Sequence, residues 1–157
     1  MLAAEGVTPS FDALLREHAD DDIGKEVFLA RAAIGTADNK QAYWQQYLQL
    51  EQPPEQWTQA SLATFHWPGQ EELTLPYLRR ALERVEWVKE HRRIFFMPAW
   101  LDGFVNGHNS PEALAIVDAF LDGTELSLDI RQKLLQSRDG LARAVRIRAK
   151  FGATQDR

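Results

Sequence analysis

The chain has 157 residues, of which 45% are hydrophobic and 26% charged, with a formal net charge of −5. Those figures describe one ordinary globular domain spanning residues 1–157, large enough to bury roughly 70% of its unfolded surface without covalent staples. The lack of cysteine excludes a disulfide framework, a thiolate metal site and a cysteine nucleophile, and it fits a reducing, cytoplasmic setting.

At the N-terminus, Met1 to Gly6 offers neither the basic stretch nor the apolar run of a signal peptide. No apolar run anywhere reaches the roughly 18 residues of a membrane span, so no membrane partner is expected. Pro9-Ser10 before Phe11, Leu14 and Leu15 reads as a cap and a short helix. Asp20, Asp21 and Asp22 open a second helix, where carboxylates meet the positive end of the helix dipole. Its stripe is Ile23, Val27, Ala30 and Ile34, and Gly35-Thr36 closes it. Asp38 is expected to cap a third helix carrying Tyr43, Trp44, Tyr47 and Leu48. Pro53-Pro54 stops it, with Pro54 in the first turn of a fourth helix through Trp57, Ala60, Leu62 and Phe65. Trp67-Pro68-Gly69 is a break.

A long segment from Gln70 to about His91 follows, with a stripe of Leu73, Tyr77, Ala81, Leu82, Val85 and Val88. Pro76 inside it should start or kink a helix. Ile94-Phe95-Phe96-Met97 opens a strongly apolar helix through Trp100, Leu101 and Phe104, with Pro98 as a second irregularity. Asn106 to Asn109 is a loop. Ser110-Pro111 is a cap followed by Pro at the first helical position, and that helix buries Leu114, Val117 and Leu121 before Gly123 ends it. Ser127 caps a last helix to about Phe151, with Ile130, Leu134, Leu141 and Val145 inward and Gly140 weakening it by about 1 kcal/mol. No alternating pattern persists. The expected fold is therefore all-α, about eight helices in antiparallel pairs that stack as a HEAT- or armadillo-like α–α superhelix.

Chemistry is harder to find than structure. His18, His66, His91 and His108 have no second histidine three or four positions away, so the zinc-protease helix is absent and surface or capping roles are expected. Ser10, Ser110 and Ser127 read as caps, and no serine sits in a nucleophile elbow. Glu71-Glu72 and the Asp20–Asp22 run sit at helix starts, where the dipole accounts for them. No catalytic, cofactor-binding or metal residue is assigned. Trp44, Trp57, Trp87 and Trp100 fall at or beside stripe positions and are expected in the core.

The charge is uneven. Residues 1–78 carry 12 acidic and 4 basic side chains, and residues 79–157 carry 11 acidic and 14 basic. A half with a mild basic excess does not make a nucleic-acid surface. The cations Arg138, Arg143, Arg146, Arg148 and Lys150 nevertheless crowd the last helix. They are either a solvated face near a helix C-terminus or a surface that attracts anions, such as a peptide carboxylate or an acidic partner. Arg79, Arg80, Arg84, Arg92 and Arg93 have the same two readings.

The run Phe65-His66-Trp67-Pro68-Gly69-Gln70-Glu71-Glu72-Leu73-Thr74-Leu75-Pro76-Tyr77-Leu78 resembles a segment in the C-terminal helical domain of aminopeptidase N-type zinc metallopeptidases. That segment has an aromatic residue, a short break with Pro and Gln, and an apolar turn ending in Pro-Tyr. Lys25 to Phe28 through Gln41 to Trp44 is similar to the helices before it. The Ser110-Pro111-Glu112 helix with Phe120, and the Arg-rich last helix, resemble the family's closing helices. The resemblance covers roughly residues 10–150.

It implies a HEAT-like C-terminal domain that packs on the catalytic domain of the same enzyme and helps close the cavity for the peptide substrate. The family's His-Glu-x-x-His zinc helix, third glutamate ligand and Gly-x-Met-Glu-Asn loop are all missing. Zinc therefore belongs to the parent enzyme, and the expectation is one domain of a larger protein, inactive alone. The rival readings are a stand-alone helical-repeat interaction module and a small all-α enzyme, the latter needing a cluster of titratable groups that the sequence does not offer.

Overall fold

The structure, a computed structural model, describes Ala13 and residues 23–152. Among the described residues the chain is all-α, with eight helices and no strand. They are α1 (Gly24–Ala32), α2 (Ala37–Tyr47), α3 (Glu55–Phe65), α4 (Glu71–Leu82), α5 (Val85–His91), α6 (Phe96–Phe104), α7 (Pro111–Gly123) and α8 (Leu128–Gly152). Of the short helix expected after Pro9 only Ala13 is described, and it is helical; Ser10 and Asp20 to Asp22 lie outside the described residues. The chain divides into two compact units, residues 1–74 and 75–157, with the division inside α4.

In the first unit α1, α2 and α3 each pack against the other two. Val27 anchors α1 in the core, with Ile23, Ala30 and Ile34 packed around it, as the three-to-four spacing requires. Tyr43, Trp44 and Tyr47 bury the facing side of α2, and Leu62 and Phe65 that of α3. The rings interlock: Phe28 to Tyr43 is 5.0 Å and Tyr47 to Phe65 is 5.6 Å between centroids. The cap of α2 is not Asp38. Thr36 is extended and its hydroxyl accepts the Asn39 N–H at 3.3 Å, so Asp38 falls in the first turn and meets the dipole instead. Pro54 likewise sits one residue earlier than expected, at the N-cap of α3. Gly69 ends the break before α4 at φ +84°, a left-handed conformation that favours glycine.

The second unit is built from the end of α4 with α5 to α8. The single long segment expected over 70–91 is two helices, and the break is not at Pro76. Pro76 lies inside α4, exposed, where the Glu72 carbonyl that loses its N–H partner belongs to an exposed residue and can bind water. The helix instead stops at Leu82, and Arg84, at ψ 2°, turns the chain into α5. This break lets Ala81, Leu82, Val85 and Val88 all reach the core. Trp100 on α6 is fully buried; its indole N–H donates to the Ala81 carbonyl at 3.1 Å, and its ring packs tilted against Phe104 with centroids 4.5 Å apart. Pro98 falls in the first turn of α6, where a missing N–H costs nothing. Ile94 and Phe95, expected to open that helix, precede it and are exposed. Ser110 caps α7 through the Ala113 N–H at 3.1 Å, with Pro111 at the first position. Asp118 and Arg138 pair in a two-pronged bond, and Arg148 bonds Asn109, so α7 and α8 run antiparallel. Gly140 allows the α6–α7 turn to come close: a Cβ there would lie 3.2 Å from Asn106 Oδ1.

Candidate functional site

Lys40 is the most unusual polar group in the first unit. It occupies the α2 stripe one turn before Tyr43 and Trp44 and is fully buried. Its Nζ donates to the Ala32 carbonyl at 2.8 Å and to the Phe65 carbonyl at 2.7 Å, and lies 4.9 Å from the Phe65 ring. Those carbonyls end α1 and α3, where acceptors lack intrahelical partners and the dipole is negative. One ammonium thus closes two helix ends. Burial pushes its pKa down to about 8, against the pull of the two carbonyls. Nearby, the buried Gln70 side chain passes over Gly35 and donates to the Ala33 carbonyl at 2.9 Å. Gln70 belongs to the segment that carries the family resemblance, and here it fastens the start of α4 to the end of α1. Tyr43 donates to the Phe28 carbonyl, and Tyr47 bonds Ser61 at 3.0 Å; burial raises both phenols.

The histidines behave as local caps. His66 Nδ1 lies 3.0 Å from the Leu62 carbonyl and His91 Nδ1 3.0 Å from the Trp87 carbonyl, so both must carry the proton there. The His91 ring stacks on Trp87 at 5.1 Å. His108 is buried in the turn after α6, and His18 lies outside the described residues. Among the described residues no three His, Cys, Asp or Glu side chains converge to hold a metal. Among the described residues there is thus no ligand set for a zinc ion. Trp44 and Trp100 are buried as expected, whereas Trp57 and Trp87 are half-exposed and pack by ring contact.

In the second unit the start of α8 is held by α5. The Glu86 carboxylate accepts the Ser127 N–H at 2.9 Å and its hydroxyl at 2.8 Å. Lys89 donates to Asp129 at 2.7 Å and to the Ser127 hydroxyl at 3.1 Å. The Lys89 bond holds the Asp129 carboxyl down to about 2. Ser127 therefore marks the helix start as read from sequence, but carboxylate and ammonium groups from another helix engage its hydroxyl. Concavities accompany these networks. A groove of about 640 Å³ runs between α6 and α8, lined by Pro98, Ala99, Asp102, Lys133, Gln136 and Ser137. A smaller one of about 420 Å³ in the first unit is walled by Phe28, Tyr43, Trp57 and Arg31. The larger groove has Asp102, Lys133 and Ser137 among its lining residues, and the smaller one is lined in part by aromatic rings.

Large apolar side chains also reach solvent. Ile94 is 81% exposed, Phe95 74% and Leu128 73%. At the far end of α8, Arg143, Arg146, Arg148 and Lys150 are all exposed, with Ile147 and Phe151 between them. No helix among the described residues is long and apolar enough to cross a membrane. Compared with known proteins, the chain matches no protein-family model and no curated protein.

Proposed function

We propose that this chain is the non-catalytic C-terminal helical domain of an aminopeptidase N-type zinc metallopeptidase. The reading rests on the order of residues from Phe65 to Leu78: aromatic, Pro-Gly-Gln break, apolar turn, Pro-Tyr. An all-α chain with exposed Ile94, Phe95 and Leu128 is consistent with it, because a domain that packs on another presents apolar surface when alone. In this reading the helix pairs are turns of a HEAT-like superhelix and form a wall that helps close the peptide cavity. The exposed cations of α8 are then available to a peptide's C-terminal carboxylate. The parent enzyme supplies zinc and its activated water; the groups of this chain bind, orient and exclude.

The test is to mix the protein with a separately made aminopeptidase N-type catalytic domain and follow the pair by size-exclusion chromatography with light scattering. A stable one-to-one complex that alters peptide turnover supports the reading, and no complex refutes it. The second reading, a stand-alone helical-repeat interaction module, draws on the exposed basic end of α8. It is favoured if the catalytic domain is ignored while other polypeptides bind.

A further inference from the structure

The last third of α8 extends beyond what its core packing requires. The helix runs 25 residues, yet its buried positions are Ile130, Leu134, Leu141 and Ala142. Helices in proteins draw most of their stability from packing, so a segment past the last buried residue has little to hold it helical. Arg148 meets Asn109, just before α7 begins, so the final turn passes beyond the end of α7.

The charge on this segment is one-sided. Residues 143–151 hold four cations, Arg143, Arg146, Arg148 and Lys150, and no acid. The helix dipole favours cations only within the last turn, which accounts for Lys150 but not for Arg143, Arg146 or Arg148. Arg146 and Lys150 stand four apart, a like-charge pair that weakens an isolated helix. Ile147 and Phe151 also stand four apart, 52% and 62% exposed, so they share a face. Arg143 and Arg146 flank that ridge, and the Lys150 ammonium lies 5.4 Å from the Phe151 ring. The chain that carries this patch is acidic overall, at −5.

We infer that Arg143 to Phe151 is a docking face for an acidic polypeptide segment with apolar side chains among its carboxylates. Guanidinium groups take carboxylates in two-pronged bonds, and the Ile147–Phe151 ridge takes the apolar anchors. Four cations on a net-acidic protein are too few to hold a nucleic acid. Two apolar side chains give little insertion into a bilayer. The inference stands independently of the aminopeptidase reading.

The test uses fluorescence anisotropy with the whole chain and a labelled peptide of Glu-Glu-Leu repeats. Controls are a Lys-Lys-Leu peptide, polyglutamate, and phosphatidylserine–phosphatidylcholine vesicles. The Glu-Glu-Leu peptide is expected to bind, with affinity falling about tenfold or more in Arg143→Glu/Arg146→Glu. A similar loss is expected in Ile147→Ser/Phe151→Ser. These positions lie past the last buried residue of α8, and unchanged circular dichroism will show that both variants fold. No binding, unchanged binding by either variant, polyglutamate binding as tightly, or capture by vesicles alone would each overturn the inference.

Discussion

Single residues decide how the helix ends are closed, and Lys40 shows how far one side chain can reach. Replacing it by Met leaves the Ala32 and Phe65 carbonyls buried without their donor, and the expected loss is about 1–3 kcal/mol of unfolding free energy in urea titrations. The pH dependence has a definite sign. The folded chain releases the Lys40 proton near pH 8, whereas an unfolded lysine holds it to 10.5. Between those values the unfolded state binds more protons, so stability rises with pH from about 8 toward 10. A neutral amine still has two N–H groups for the two carbonyls. Above pH 10 the raised phenols of Tyr43 and Tyr47 act in the opposite sense, because unfolded tyrosine ionises first. Urea midpoints measured at pH 7, 8, 9 and 10 should climb in the native sequence and stay flatter in Lys40→Met. The sequence held the signal for this residue: Lys40, Tyr43, Trp44 and Tyr47 are spaced as one stripe. A lysine there reads as polar, and only the convergence of two helix ends explains why it is inside.

At the scale of elements, the coupling of α5 to α8 depends on a cap brought from another helix. Glu86 accepts both donors of Ser127, doing for α8 what a local N-cap side chain does for most helices. Glu86→Ala should cost about 0.5–2 kcal/mol, and Glu86→Gln less, because the amide keeps one oxygen to accept with. Thermal unfolding followed by circular dichroism checks the ranking. Asp129 adds an acid limb: its carboxyl is held down to about 2 against a usual 3.8, chiefly by Lys89, so its contribution is present above 3.8 and fades as pH falls through 2. Most elements were legible from spacing alone. Ser110-Pro111 specified the start of α7, and the Ile130, Leu134, Leu141 stripe specified the inner face of α8. The boundary at Arg84 was not legible. No glycine or proline marks it, and Pro76, which carries the local breaker signal, is tolerated because its orphaned carbonyl belongs to exposed Glu72. Remote caps such as Glu86 on Ser127, 41 residues apart, leave no local trace either.

For the whole molecule, the decisive question is what covers its exposed apolar side chains. Ile94 and Phe95 are adjacent in the turn before α6 and more exposed than Leu50, Leu135 or Ile147, while Leu128 at the start of α8 is nearly as open. Isolated apolar groups on a surface are normal, but two consecutive large ones at a turn leave more apolar area in water than folding alone would select. Their spacing told nothing of this beforehand, because Ile94-Phe95-Phe96-Met97 reads as one buried run, and only Phe96 and Met97 enter the core. Sedimentation velocity over a tenfold concentration series should therefore show weak self-association of the isolated chain. Ile94→Ser/Phe95→Ser should reduce it with little change in the unfolding temperature, because both side chains are mostly exposed. The same pair of substitutions should weaken the complex with an aminopeptidase N-type catalytic domain if that surface is the docking face. Strictly monomeric behaviour at every concentration would leave the exposed pair without a partner of its own kind and count against the domain reading. Association unchanged in the double variant would move the contact elsewhere on the surface.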